Sequence, residues 1–179
     1  MLKKVLVANR GEIACRAIRT CRDLGIKSVA VYSVADKESL HVQLADEAYC
    51  IGSAQAKKSY LDIPSLLTVA KACGADAVYP GYGLLAENAG FADACGNAGL
   101  VFIGPSAEAI EKMGDKAIAR KTMQEAGVSI VPGTTDLFVV EEEARRIADS
   151  IGYTVLIKAT AGGGGKGMRL VEKTEDFID

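Results

Sequence analysis

Short apolar runs alternate with amphipathic segments along residues 1–105, and this alternation narrows the choice of folds more than any other feature. Val5–Ala8 is wholly apolar, as expected of a strand buried on both faces. Apolar residues then recur at helical spacing from Ile13 to Leu24, and Gly25 ends that helix. Further strands are predicted at Ser28–Val34, Glu47–Ile51, Asp76–Tyr79 and Leu100–Ile103, and further helices at Ile63–Cys73 and Asn88–Ala98. Because short links join strands through helices, the pattern predicts an α/β fold with a doubly wound, Rossmann-like parallel sheet.

The pattern changes after Gly104. Helices are predicted from Ser106, as a cap, to Met113, and at Ala117–Glu125 and Glu141–Ile151, with a β-hairpin over residues 153–172. We therefore place one domain at residues 1–113 and the beginning of a second at 114–179. Thr174 is predicted to cap a helical turn that has no room to continue, so we expect the second domain to be part of a larger fold.

The glycine-rich run 162–167 carries the clearest chemical signal. Four consecutive glycines precede Lys166, and Lys158 ends the strand before them. Glycine allows backbone N–H groups to approach a ligand closely, and such groups beside two ammonium groups suit phosphate oxygens. The sequence therefore predicts a phosphate-binding loop, with an unliganded surface loop as the alternative.

Two familiar phosphate loops do not fit this run. A Walker loop requires glycine where Thr160 stands and a hydroxyl where Gly167 stands. The spacing of the glycines matches a dinucleotide-binding pattern, but that pattern must open a helix, and Met168–Val171 predicts a strand. We therefore predict that the loop is the tip of a hairpin that closes over a nucleotide like a lid.

Composition excludes several classes of protein. The net charge of −2 argues against binding to nucleic acid or anionic membranes, and no apolar run reaches membrane-spanning length. The apolar stretch near the start is too short for a signal peptide. Five cysteines without a C-x-x-C pair, and the sole histidine, His41, make a zinc site improbable. We expect reduced core cysteines in a cytoplasmic protein, and a surface or capping role for His41.

Two loops follow predicted strand ends, where doubly wound sheets collect ligands. The first, Asn9–Glu12, has one glycine and so does not fit a dinucleotide site. The second, Pro80–Asn88, combines two glycines with Tyr82, Glu87 and an amide. It is interpreted either as a functional loop or as a turn in which Asn88 caps the next helix.

Taken together, these motifs resemble biotin carboxylase, the ATP-grasp component of acetyl-CoA, propionyl-CoA and pyruvate carboxylases. The resemblance covers the whole chain. The matching segments are Ala8–Ala14, Pro80–Gly83 with Glu87–Asn88, Phe102–Pro105, Met113–Lys116, and Ile157–Ala159 with the glycine loop. It implies a pre-ATP-grasp domain followed by the start of an ATP-grasp domain.

The resemblance implies a reaction in which ATP and Mg²⁺ activate bicarbonate, and biotin on a carrier protein is carboxylated. It places Lys116, Lys158, Gly164, Gly165 and Lys166 near the nucleotide phosphates. Met168 is then expected to line the adenine pocket, and Tyr82 and Glu87 to face the region where biotin approaches. It also implies a biotin carboxyl carrier protein or domain and a carboxyltransferase as partners, and a homodimer through the first domain, with Arg19 and Asp23 near the contact. A merely solvated charged face is the alternative for these two residues.

Two departures from the family pattern matter. The family usually has Phe and Ser where Leu84 and Ala86 stand, which bears on the geometry of that loop. The family's metal-binding glutamates, bicarbonate-binding arginine and general base have no counterpart up to residue 179. The resemblance therefore places no catalytic residue and no metal ligand within this chain, and we expect the chain alone to be inactive. We also expect apolar surface around Val155, Ile157 and Leu170 to be exposed.

Two other functions remain open at this point. One is a different ATP-grasp ligase, such as a carbamoyl-phosphate or purine-pathway enzyme. The other is a non-catalytic module used for subunit assembly.

Overall fold

The computed structural model describes residues 1–114, 116–131, 141–158 and 167–178. The chain divides into two compact units, Met1–Gly114 and Asp115–Asp179. The assignment of these units to two domains of the family stays a prediction.

The first unit is built on a five-stranded, wholly parallel sheet in the order β3-β2-β1-β4-β5. Its strands are β1 Lys4–Val7, β2 Lys27–Ser33, β3 Glu47–Gly52, β4 Ala77–Tyr79 and β5 Val101–Phe102. Its helices are α1 Gly11–Asp23, α2 Leu40–Leu44, α3 Ile63–Ala72, α4 Ala89–Asn97 and α5 Ala107–Gly114, with short 3₁₀ turns at Val34–Asp36 and Ala56–Lys58. This arrangement confirms the predicted doubly wound parallel sheet.

Strand β1 lies at the centre of the sheet, and its apolar residues serve both faces. Leu6 packs with residues of α3 and α4, including Leu66 and Phe91. Val7 points to the other face and packs with Ala14 and Ile18 of α1 and its neighbours. Leu6 and Val7 are both fully buried, which explains why this strand is continuously apolar rather than alternating.

Helix α1 buries the face that its periodicity predicts. Ile13, Ala14, Cys15, Ile18 and Cys21 are buried, whereas Arg16, Arg19, Arg22 and Asp23 are exposed. Leu24 was expected on the buried face, but it is 67% exposed. The reason is that Leu24 is the C-cap residue, where the backbone has already left the helical path towards Gly25 at φ +67°.

The prediction for His41 is wrong. Its side chain is buried within α2, where Nε2 lies 3.3 Å from the carbonyl oxygen of Val31 in β2. Helix α2 packs against α1 and β2, and this packing decides which of its side chains is enclosed. Periodicity over only five residues cannot predict that choice. Four of the five cysteines are buried thiols, and Cys50 is exposed.

The second unit contains helices α6 Lys116–Glu125 and α7 Glu141–Ile151, and strands β6 Val155–Lys158 and β7 Met168–Val171. The two strands pair antiparallel, so the predicted hairpin is present. Val171 and Ala148 are buried together at the centre of a small core formed by the hairpin and α7. A 3₁₀ helix follows at Thr174–Ile178, and the hydroxyl of Thr174 donates to Asp149.

The prediction of which apolar residues of the hairpin are exposed is partly wrong. Val155 and Ile157 are half-buried and pack against the small core that contains Val171. The exposed apolar residues are instead Leu156 and Leu170, which are 45% and 58% exposed and lie opposite each other. Successive strand residues alternate between faces, so the placement of α7 on one face leaves the other open.

Candidate functional site

The loops after β1 and β4 meet at the carboxyl edge of the sheet. These strands are neighbours, although α1, β2, β3 and α3 separate them in sequence. Strand order reverses between them, since β2 and β3 lie on one side of β1, and β4 and β5 on the other. Such a reversal opens a crevice where doubly wound proteins bind ligands.

The side chain of Asn9 joins the two loops. Asn9 is only 4% exposed, and its Nδ2 donates to the carbonyl oxygens of Pro80 at 2.7 Å and Tyr82 at 2.9 Å. Its Oδ1 accepts a hydrogen bond of 2.8 Å from the backbone N–H of Arg10. Both amide protons and the amide oxygen are therefore used, as a buried amide requires.

Gly81 lies between the two carbonyl groups that Asn9 holds. Its φ is +69°, and a Cβ atom there would come within 2.9 Å of Asn9 Nδ2 and 3.0 Å of Ile13 Cγ1. Only glycine combines this backbone conformation with such a close approach. The loop thus lies directly on the start of α1.

Tyr82 projects from this anchored loop. Its side chain is 62% exposed, and its hydroxyl donates to the carboxylate of Glu12 in the first turn of α1. The hydrogen bond to Glu12 raises the pKa of the phenol above its ordinary value, because it stabilises the protonated form. Glu87, the other residue expected near biotin, is exposed on the same loop.

The rest of the loop is a tight turn. Ala86 donates through its backbone N–H to the carbonyl of Gly83 at 2.9 Å, Leu84 has a φ of 45°, and Leu85 is buried. The loop is anchored through its backbone and Leu85, not through positions 84 and 86, where the chain departs from the family. Asn88 caps α4 by accepting from the N–H of Phe91 at 2.8 Å, so the capping interpretation of Asn88 is confirmed.

Arg10 is held by a buried carboxylate that sequence reasoning missed. Asp36 accepts from Arg10 Nε at 2.9 Å and also from its Nη2, while Tyr60 and Ser33 donate hydroxyl hydrogens at 2.7 and 2.9 Å. Asp36 is 7% exposed, and these donors, Arg10 foremost, hold its pKa well below the usual range. The only sequence signal was an aspartate after the predicted strand at Ser28–Val34, 26 positions from Arg10.

The hairpin of the second unit places two predicted nucleotide residues together. Lys158 and Met168 are register partners at the ends of β6 and β7, and both are exposed on the face that carries Leu156 and Leu170. Lys116 is the first residue of α6, but its side chain is not among those described. The predicted phosphate contacts at Gly164, Gly165 and Lys166 lie outside the described residues.

An open groove runs between α1 and α2. Arg16, Arg19 and Thr20 line it from α1, and His41 contributes from α2. Of the two residues expected near a subunit contact, Arg19 lies along this groove, and Asp23 is exposed at the last residue of α1.

Within the part of the chain that the structure describes, no group of three or more histidine, cysteine, aspartate or glutamate side chains is arranged to hold a metal ion. None of the helices in those ranges is both long and apolar enough to cross a bilayer.

Two family models match successive parts of the chain. Residues 1–110 match the biotin carboxylase N-terminal domain, and residues 115–179 match the ATP binding domain of the carbamoyl-phosphate synthase L chain. The biotin carboxylase model thus covers more than half of the chain.

Proteins with similar sequences carry the same family name. The chain is 58% identical to biotin carboxylase 1 of Bacillus subtilis over 179 residues, which is all of this chain and 40% of that protein. It is 55% identical to the chloroplastic biotin carboxylase of Arabidopsis thaliana over 175 residues, 98% of this chain and 33% of that protein. The chain therefore spans about two-fifths or less of the length of these curated relatives.

Solved structures agree with these relatives. A complex of biotin carboxylase from Campylobacter jejuni with β,γ-ATP, as it is named, has a TM-score of 0.91 and 47% identity, covering 99% of this chain and 40% of that one. The biotin carboxylase domain dimer of Hydrogenobacter thermophilus 2-oxoglutarate carboxylase, in complex with MgADP, ADP and bicarbonate, has a TM-score of 0.88 and 50% identity, covering 99% and 39%. With the match over residues 1–110, these likenesses confirm the resemblance seen in the sequence: the chain belongs to the biotin carboxylase family.

Proposed function

We propose that this chain is the N-terminal part of a biotin carboxylase that uses Mg-ATP and bicarbonate to carboxylate biotin on a carrier protein. In this proposal residues 1–113 are the pre-ATP-grasp domain, and residues 114–179 begin the ATP-grasp domain. The observation that carries the proposal is the anchored Tyr82 loop at the strand-order reversal, in a unit that matches the family model.

The nucleotide side of the proposal rests on the hairpin. Lys158 is exposed opposite Met168, and no described residue pairs with its ammonium group. An unpaired ammonium group suits phosphate oxygens, and a charge-assisted contact of this kind contributes about 1.5–3 kcal/mol. Met168 offers a polarizable, adaptable surface for a flat base. We assign Lys116, Gly164, Gly165 and Lys166 to the same nucleotide on the family resemblance alone.

The biotin side of the proposal rests on Tyr82 and Glu87. Both are exposed on the loop that follows β4, at the carboxyl edge of the sheet. A phenol ring supported by a buried amide gives a rigid surface and one polar atom, which suits an uncharged bicyclic ring with a urea group. The carrier would deliver its biotin to this edge.

Mg²⁺ supplies charge neutralisation on the phosphates when ATP is bound. We assign its ligands to residues beyond 179 on the family resemblance alone; among the described residues there is no cluster of three or more histidine, cysteine, aspartate or glutamate side chains. The bicarbonate-binding and proton-abstracting groups are assigned there too, so that residues 1–179 bind and orient but contain no catalytic residue.

Assembly with other chains extends the proposal. A carrier protein or domain and a carboxyltransferase are the expected partners of the carboxylated product. A homodimer would use the exposed face of α1, where Arg16 and Arg19 line the open groove. The Hydrogenobacter thermophilus relative is named as a dimer. We infer a cytoplasmic location from the free cysteines.

The test uses the full-length protein that contains this chain. Phosphate release is measured with Mg-ATP, bicarbonate and free biotin for the wild type and for Lys158→Ala. We expect biotin-dependent release in the wild type, and a fall of roughly 10- to 100-fold in kcat/KM for ATP in the variant. Lys121→Ala, at an exposed lysine on α6, is the matched control and should leave the rate unchanged. Equal rates for all three proteins would refute the role of Lys158.

A second candidate is another ATP-grasp ligase, favoured by the match of residues 115–179 to the carbamoyl-phosphate synthase model. The same assay separates the two functions. Phosphate release that depends on ammonia but not on biotin would identify the alternative. A protein that binds no ATP at all would be the non-catalytic module.

A further inference from the structure

We propose that Asn9 and Glu12 are positioning residues that hold Tyr82 in one orientation at the carboxyl edge of the sheet. This inference rests on the proposed function, because it gives those residues a role in receiving biotin. It extends that function to Asn9, which follows β1, and to Glu12 in the first turn of α1, whose side chains are not themselves expected to touch the substrate.

The backbone of the Tyr82 loop is fixed from beneath by Asn9. The buried amide reaches two carbonyl oxygens, at Pro80 and Tyr82, on either side of Gly81. With three hydrogen bonds at 2.7–2.9 Å, Asn9 has one satisfied arrangement, and any shift of the loop leaves a buried polar group unpaired. The close approach of Gly81 to Asn9 Nδ2 and Ile13 Cγ1 prevents the loop from moving inward.

The side chain of Tyr82 is fixed from the side by Glu12. An exposed tyrosine has two soft torsions, and Asn9 constrains only its backbone. The hydrogen bond from the phenol to Glu12 ties the ring to the first turn of α1. Helix α1 is rigid because Ile13, Ala14 and Ile18 are buried against the sheet. The first turn of α1 therefore sets the orientation of the Tyr82 ring.

This arrangement separates orientation from chemistry. Glu12 would be occupied by Tyr82 rather than by substrate, so its removal should affect biotin binding more than the turnover of bound biotin. Positioning of this kind changes KM for the oriented substrate, and leaves KM for ATP, which is bound by the other unit, unaltered.

The first arm of the test uses this chain and needs no activity. Tyrosines are labelled with carbon-13 at Cζ, and the Tyr82 signal is assigned by its loss in Tyr82→Phe. In Glu12→Gln the phenol pKa should fall towards its ordinary value of 10.0, because the carboxylate that raises it is gone. Glu111→Gln, at an exposed glutamate on α5, is the control and should change nothing. An unchanged Tyr82 pKa in Glu12→Gln overturns the inference.

The second arm is a double-mutant cycle in the full-length enzyme. We expect Glu12→Gln to raise KM for biotin roughly 3- to 10-fold, with less than about a twofold change in KM for ATP. In a Tyr82→Phe background the same substitution should change KM for biotin less than about twofold, since its effect acts through the phenol. If Glu12→Gln raises KM for biotin by the same factor with and without Tyr82→Phe, the positioning role is overturned.

Asn9→Asp provides a second variant of the same size that cannot donate to the two carbonyl oxygens. We expect a larger rise in KM for biotin than from Glu12→Gln, together with faster amide exchange in the Tyr82 loop. Should Asn9→Asp fail to fold, the cycle at exposed Glu12 still decides the question.

Failure of the inference can be told apart from failure of the proposed function. Unchanged biotin kinetics in Glu12→Gln and Tyr82→Phe, with ATP use lost in Lys158→Ala, overturn the positioning role and leave the nucleotide site standing. Absence of biotin-dependent phosphate release in the wild type overturns both.

Discussion

Two buried polar side chains organise the carboxyl edge of the sheet, and in each of them every polar atom has a hydrogen-bond partner. The amide of Asn9 donates hydrogen bonds to the Tyr82 loop. The carboxylate of Asp36 accepts hydrogen bonds from Arg10, Tyr60 and Ser33. A buried amide or carboxylate is stable only when its partners are all present. Substituting either residue therefore affects the partners as well as the residue itself.

Asp36→Asn should destabilise the first unit by about 2–3 kcal/mol, because it removes a buried charge and leaves the donors of Arg10 poorly paired. Urea unfolding followed by circular dichroism measures the loss. Asp93→Asn, at an exposed position on α4, is the control and should stay within about 0.5 kcal/mol of the wild type. Equal midpoints for both variants would contradict the prediction.

The Asp36 carboxylate should also make the stability of the folded chain depend on pH in the acid range. Its pKa is lower in the folded chain than its ordinary value of 3.8, so protonation favours the unfolded state. The contribution of ionised Asp36 to the free energy of unfolding is complete above pH 3.8. It is lost as the pH falls through the pKa of Asp36 in the folded chain.

His41 should make the stability of the folded chain depend on pH in a separate range, closer to neutrality. Burial lowers its pKa below 6.5, and Nδ1 has no hydrogen-bond partner among the described residues. Asp36 and the Val31 carbonyl oppose this shift, while Arg10 adds to it. The unfolded chain therefore binds the proton more readily, and the stabilising effect of neutral His41 is present above 6.5 and declines as the pH falls below it.

The measurement compares urea midpoints at about pH 7.5 and about pH 5.5, above the range in which Asp36 titrates. We expect a lower midpoint at the lower pH in the wild type, and a smaller difference in His41→Leu, which has no titrating group there. An identical pH dependence in both proteins would show that His41 is not responsible.

At the scale of the element, the loop after β4 depends on how closely its backbone lies against α1. Gly81 and Gly83 have φ values of +69° and +64°, so alanine is strained at both, but only Gly81 has neighbours within 4 Å of an added Cβ. We expect Gly83→Ala to cost about 1–2 kcal/mol from backbone strain alone. Gly81→Ala should cost about 1–3 kcal/mol more, because Asn9 and Ile13 must move.

Thermal unfolding of the two variants measures this difference. Amide exchange in residues 80–86 adds a local readout, which should accelerate in Gly81→Ala because the bonds from Asn9 are disturbed. If Gly83→Ala is the more damaging variant, the close approach to Asn9 is not what holds the loop.

For the molecule as a whole, we predict that residues 1–179 bind nucleotide but need the rest of the protein to complete a reaction. Lys158 is present, but no metal-binding cluster occurs among the described residues. Phosphoryl transfer depends on neutralised charge and a positioned nucleophile, so a chain without such groups would lose most of the acceleration. We expect no biotin-dependent phosphate release by residues 1–179 alone.

The assay uses the same components as for the full-length protein, with this chain freed of any trace of longer enzyme. Full-length protein added back at a known small amount sets the detection limit. Release above the buffer blank that scales with the concentration of the chain would place catalytic groups within residues 1–179.

Features that depend on residues close together in the chain could be predicted from the sequence. The continuous apolar run at β1, the buried face of α1 and the pairing of β6 with β7 follow from periodicity, because each pattern repeats within one element. The motifs around Asn9, Tyr82 and the glycine loop were also enough to indicate the family. The roles of Tyr82, Glu87, Lys158 and Met168 stay predictions.

Contacts between residues far apart in sequence depend on how the elements pack, and the sequence did not predict them. Asn9 reaches Pro80 and Tyr82 across 71 and 73 positions because β1 and β4 are parallel neighbours, a fact of strand order that no local pattern contains. The same holds for Asp36 beneath Arg10, and for His41, which is buried because α2 packs on the sheet. Periodicity predicts which face of its own helix or strand a residue lies on, whereas long-range packing decides what lies against that face.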